Sequence, residues 1–148
     1  MTTEKNLDGG FGGAAPLGVV REKMLPQILG AFPEAVLVYL FGSRARGLER
    51  PDSDWDLALL FPRGQAPKPG ALLILNAELS KIAGAPVEIS LLDAEKFLIH
   101  AKEVVSEGIL VFSKDENSRL DFETRVLSGY ARLCEDRRPV IEAYSRHG

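Results

Sequence analysis

The run AVLVYLFG, Ala35 to Gly42, constrains the fold more than any other stretch of the chain. It is short, continuous, rich in branched and aromatic side chains and stopped by glycine, which is the pattern of a strand buried on both faces. It is also far too short to cross a bilayer. DWDLALLF, Asp54 to Phe61, reads as a second strand ended by Pro62 and Gly64. PVEISLL, Pro86 to Leu92, and ILVF, Ile109 to Phe112, supply a third and a fourth.

Helical periods fill the intervals. From Leu17 to about Ala31, the apolar positions Val20, Met24, Leu25 and Ile28 recur at helical spacing, with Pro26 as a candidate kink and Pro33 beyond the end. After the loop RGQAPKPG, Leu72, Leu75, Leu79 and Ile82 mark one face of a helix that ends at Gly84. Asp93 is placed to cap a helix in which Phe97, Ala101, Val104 and Val105 face inward, closed by Gly108. From about Ser118, the positions Phe122, Val126, Tyr130, Leu133 and Cys134 keep the period as far as Arg137, where Pro139 is expected to break or bend the helix.

The resulting order, α-β-β-α-β-α-β-α without internal repeat, predicts a single α/β (α+β) domain over residues 17–137. A glycine-rich flexible leader, 1–16, precedes it. A tail, 138–148, follows, and Val140, Ile141 and Tyr144 there, with the fourth strand, mark a candidate partner-docking segment.

Charge and cysteine content narrow the function. The chain of 148 residues has 18 Lys and Arg against 21 Asp and Glu, so it lacks the basic balance expected of a protein that grips long nucleic acid. One cysteine, Cys134, rules out an internal disulfide and a cysteine-held metal cluster, and fits a reducing compartment, the cytoplasm. The first residues lack the apolar core of a signal peptide, so neither export nor a membrane location is expected.

The residues suited to chemistry cluster around the first two strands. Asp54 and Asp56 lie two apart on an extended segment, so both carboxylates project from one face while Trp55 and Leu57 turn to the other. Hard oxygen donors without nearby His or Cys suit Mg²⁺ or Mn²⁺. Gly42 and Ser43 follow a buried strand, where backbone N–H groups and a hydroxyl can approach an anion closely. Arg44 and Arg46, with Arg50 nearby, are candidates for charge-assisted bonds to a triphosphate. In PVEISLL, Val87, Ile89 and Leu91 alternate inward and leave Glu88 on the opposite face as a third carboxylate.

Each feature also has a plain structural reading: a solvated strand end for the Asp pair, solvated arginines, an exposed strand position for Glu88. Plain readings are preferred outright for His100, as a packed or capped helical histidine, and for Trp55 and Cys134, as core.

Gly42-Ser43, ten residues, then Asp54-x-Asp56 and a later acidic strand residue resembles the nucleotidyltransferase superfamily of DNA polymerase beta. Within it, GSRARG...SDWDL, the short chain and EVVSEGILVF followed by an FE helix are similar to the minimal nucleotidyltransferases, the MntA-type antitoxins. The resemblance covers about residues 20 to 135 and implies a small mixed sheet with helices packed on one side. It implies that Gly42 and Ser43 hold nucleotide phosphates and that Asp54, Asp56 and Glu88 bind two Mg²⁺ ions. Many relatives carry Asp at the Glu88 position, so the longer arm puts full activity in question.

The implied activity is transfer of AMP from ATP to a tyrosine of a HEPN-family, HepT-type toxin. Two other readings stand beside it: an antitoxin that neutralises its partner by binding alone, and, with less room in the chain for a substrate domain, an antibiotic-modifying nucleotidyltransferase.

Overall fold

The computed structural model describes residues 14–147, with side chains from 16 to 137. The chain opens with α1 (Ala14–Val19), continues through a π-helical turn (Val20–Met24) and enters α2 (Leu25–Ala31). Pro26 lies in the first turn of α2, where its missing N–H is tolerated, and the widened turn just before it absorbs the irregularity. Most of the expected leader, 1–16, lies outside the described residues, but its last three residues belong to α1.

Four strands follow in the expected order: β1 (Leu37–Phe41), β2 (Trp55–Leu60), β3 (Val87–Leu91) and β4 (Ile109–Ser113). They form one mixed sheet in the order β3-β2-β1-β4. β1 is antiparallel to both β2 and β4, while β2 and β3 run parallel. α3 (Pro69–Ala83) makes the crossover between the parallel pair and ends at Gly84, whose φ of 71° is the left-handed cap that glycine accepts without strain.

The α/β class and the mixed sheet are as expected, but the helices lie on both faces rather than on one. Val38, Leu40, Leu57, Leu59 and Ile89 pack with Val20, Met24, Ile28, Leu75 and Leu79 from the first helices and α3. Leu37, Tyr39 and Ala58 pack on the other face with Ala101 and Val104 of α4 (Leu98–Glu107) and Phe122 and Val126 of α5 (Glu116–His147). β1 is buried on both sides because apolar side chains leave it in both directions. Each fully buried Leu or Val contributes roughly 1.5–3 kcal/mol.

Further expectations are corrected. Asp93 accepts bonds from the N–H groups of Glu95 and Lys96 at 2.9 and 2.8 Å, but it caps a turn, and the helix proper starts at Leu98. Phe97 consequently lies outside α4 and is 48% exposed instead of facing inward. α5 runs through Pro139 to His147, so the expected tail is helical, while the side chains of Val140, Ile141 and Tyr144 lie outside the described residues. Cys134 is exposed and not core, because this part of α5 has passed the residues, Phe122 and Val126, that meet the sheet. Among the described residues no helix is long and apolar enough to cross a membrane.

Candidate active site

Strand register brings the acidic residues together. Phe41 pairs with Asp56, and Asp56 with Glu88, so these three form one row across β1, β2 and β3. The next row in the same direction is Tyr39, Ala58 and Ser90. Because side chains alternate, Asp56 and Glu88 project on the face that α4 and α5 cover. They stand at the edge of that cover, with Glu88 exposed and Asp56 half-buried. Asp54, two residues ahead of Asp56, is exposed just before β2 begins.

Gly42 closes the site from β1. Its φ is 80°, a left-handed conformation that disfavours side chains, and a Cβ there would overlap Asp56 Oδ2 and lie 3.2 Å from Asp56 Cγ. The Asp56 carboxylate therefore packs directly against a bare backbone. Beyond Gly42 the chain makes a series of turns to Gly47 rather than starting a helix. The Gly42 carbonyl accepts from the N–H groups of Ala45 and Arg46 at 3.1 and 3.3 Å, and the Ser43 carbonyl from Leu48 at 2.9 Å. Ser43, half-buried, follows directly after the glycine that packs against Asp56.

The two candidate arginines part ways. Arg44, expected beside Arg46 at a phosphate, is only 8% exposed and its guanidinium is committed elsewhere. Its Nε and Nη2 donate to the Ser53 carbonyl at 3.1 and 2.7 Å, Nη2 also reaches the Arg50 and Pro51 carbonyls at 3.4 Å, and its Cζ lies 4.1 Å from the Trp55 ring centroid. Arg46 is exposed and pairs with Glu107 of α4 at 3.7 Å, a surface ion pair for which an anion can compete. Trp55 is in the core, as expected.

His100, from α4, lies behind the acidic row. Its Nε2 is 2.9 Å from Ser90 Oγ and its ring meets Phe41 edge-on at 5.3 Å, across the small Ala58. This is the packed, bonded histidine anticipated from sequence. Ser90, whose hydroxyl anchors it, is the residue of this neighbourhood that sequence reading missed; its place one strand step beyond Glu88 was the available signal.

The electrostatics are those of crowded carboxylates. Burial, then the charges of Asp54 and Glu88, holds the Asp56 carboxyl above the ordinary Asp range. Among the described residues no three His, Cys, Asp or Glu side chains already stand in a ligating cage. The donor set nevertheless fits a hard divalent cation, since it is all oxygen and carries a repulsion that positive charge relieves.

Comparison with known proteins agrees with this fold. Residues 23–117 match the family model described as polymerase beta, nucleotidyltransferase. No curated protein matches the chain significantly. A crystal structure of a toxin-antitoxin with AMP-PNP is similar at 23% identity and TM-score 0.71, over 84% of this chain and 98% of that one. A complex of tri-AMPylated Shewanella oneidensis HEPN toxin with MNT antitoxin is similar at 21% identity and TM-score 0.67, over 87% and 98%. The toxin-antitoxin MntA-HepT gives 21% and 0.66, over 86% and 98%. At these identities the likeness is one of fold.

Proposed function

This chain belongs to the polymerase beta nucleotidyltransferase family, and on that premise we propose that it is an antitoxin that transfers AMP from ATP to a tyrosine hydroxyl of a HEPN-family, HepT-type toxin. The observation that carries the chemistry is the row Phe41-Asp56-Glu88, with Asp54 alongside and the bare Gly42 backbone against Asp56. A site for phosphates beside three carboxylates is what nucleotidyl transfer requires, and a protein that only binds has no use for the repulsion.

Gly42, Ser43 and Arg46 hold the triphosphate, and Asp54, Asp56 and Glu88 hold Mg²⁺, with Mn²⁺ as an alternative. Two such ions, when bound, would lower the pKa of the attacking hydroxyl and stabilise the departing pyrophosphate. The tyrosine oxygen forms a bond to the α-phosphorus as the bond from that phosphorus to the bridging oxygen breaks. Pyrophosphate leaves, and the hydroxyl proton passes to a nearby carboxylate or to solvent. Positioning and charge neutralisation supply most of the rate in such transfers. Complexes of related fold with an AMPylated HEPN toxin and with AMP-PNP support the choice of acceptor and donor. The cytoplasm is the compartment this assigns.

The test is the intact mass of the cognate HEPN-type toxin after incubation with this protein, Mg²⁺ and ATP, alongside Asp54→Asn. A gain in AMP units with wild type alone is expected. A stable complex without mass gain would instead favour neutralisation by binding, with the longer Glu88 arm as the cause of a silent site.

A further inference from the structure

We infer that Arg44 is the positioning residue of this site, a clamp that fixes Asp54 from both of its chain neighbours. The inference rests on the metal-holding reading above. It assigns to Arg44 a role distinct from phosphate binding.

The three carboxylates are not held alike. Asp56 sits in a strand with register partners on each side, Phe41 and Glu88, and Glu88 is itself in β3. Asp54 precedes β2 and has no place in the ladder. What fixes it must act through the residues beside it.

Arg44 reaches both. Two of its nitrogens converge on the Ser53 carbonyl, the residue before Asp54. The same guanidinium lies over the ring of Trp55, the residue after Asp54. The bonds to the Arg50 and Pro51 carbonyls extend the hold back along the loop, and the Ser53 hydroxyl accepts from the Arg50 N–H at 2.7 Å to close it. Trp55 is anchored in turn, buried at 5% exposure, with its backbone N–H donating to the Pro86 carbonyl at 2.8 Å. A planar fork with several donors is needed to serve this set of carbonyls while stacking on an indole, and lysine offers only a point charge. Arg44 also follows Ser43 directly, so one residue ties the phosphate turn to the loop that presents Asp54.

The test compares Mn²⁺ binding in wild type, Arg44→Lys and Val126→Ala, the last a core truncation on α5. Free Mn²⁺ is read from its aqueous electron paramagnetic resonance signal, and thermal stability is measured in parallel without metal. Arg44→Lys is expected to weaken Mn²⁺ binding about tenfold or more, the usual effect of losing a ligand's support. Val126→Ala is expected to lose stability and keep Mn²⁺ affinity. Should Arg44→Lys not fold, Trp55→Leu removes the other half of the clamp and is expected to weaken Mn²⁺ binding in the same way.

Wild-type affinity in a destabilised Arg44→Lys would overturn the inference and leave Arg44 a structural residue. Failure of the wild type itself to bind Mn²⁺, or binding unaffected by Asp56→Asn, would overturn the metal-holding reading and this role with it.

Discussion

Gly42→Ala separates backbone cost from catalytic geometry. The substitution imposes two penalties: a residue with a side chain must adopt φ 80°, and its Cβ must displace the Asp56 carboxylate. The first costs about 1–2 kcal/mol wherever it is imposed. Gly64 has φ 79° and open space around its Cα, so Gly64→Ala carries the backbone penalty alone. The second penalty moves Asp56 by about 1 Å, a misplacement that costs on the order of a hundredfold in rate, or about 2.7 kcal/mol of barrier. Urea unfolding should therefore show both variants destabilised, Gly42→Ala at least as much as Gly64→Ala. AMP transfer to the cognate toxin, measured per folded molecule, should fall about a hundredfold in Gly42→Ala and stay near wild type in Gly64→Ala. Equal transfer by the two variants would refute the reasoning, because it would mean that Asp56 need not stand where Gly42 allows it to stand.

Asp56 also sets a pH dependence. Its carboxyl is held above the ordinary value of 3.8, so the stability it contributes falls as pH rises from there through its raised value, and at neutral pH the ionised group opposes folding. In chelator, Asp56→Asn should gain stability over wild type on going from acid to neutral pH while losing transfer; a gap between the two that does not change with pH would contradict this. Tyr39→Phe removes a buried hydroxyl that donates to Glu123 of α5 at 2.6 Å, with Arg119 donating to the same carboxylate at 2.9 Å. Its loss should cost about 1.5–3 kcal/mol by chemical denaturation, and an unchanged midpoint would show that this bond does not hold α5 to the sheet.

The parts of this molecule legible in the sequence are those in which one local rule dominates. Apolar runs at Leu37 to Phe41 and Trp55 to Leu60 can bury themselves only as strands, and the alternation around Glu88 sets its side of β3. The two-sided burial of β1 was readable in the same way and already required cover on both faces, which the family resemblance alone did not supply. Arg44 was misassigned because its neighbours advertise phosphate binding, whereas its partners are backbone carbonyls of residues 50–53, invisible to any side-chain pattern. Cys134 keeps a helical period but the period says nothing about where the sheet ends. Pro139 is expected to break or bend α5, and the helix continues through it to His147, so the lost N–H and the ring clash do not end a helix of 32 residues.

The order of the strands divides the site unequally. Phe41 and Asp56 belong to one antiparallel pair at the middle of the sheet, with Gly42 and Asp54 just beyond the ends of those strands, whereas Glu88 comes from β3, at the sheet's edge. Edge elements open at lower free energy than the centre. A brief peeling of β3 would carry away one carboxylate and leave the rest of the constellation in place. The chemistry of the molecule would then melt before its architecture, with transfer failing in mild denaturant while the helices on both faces remain folded.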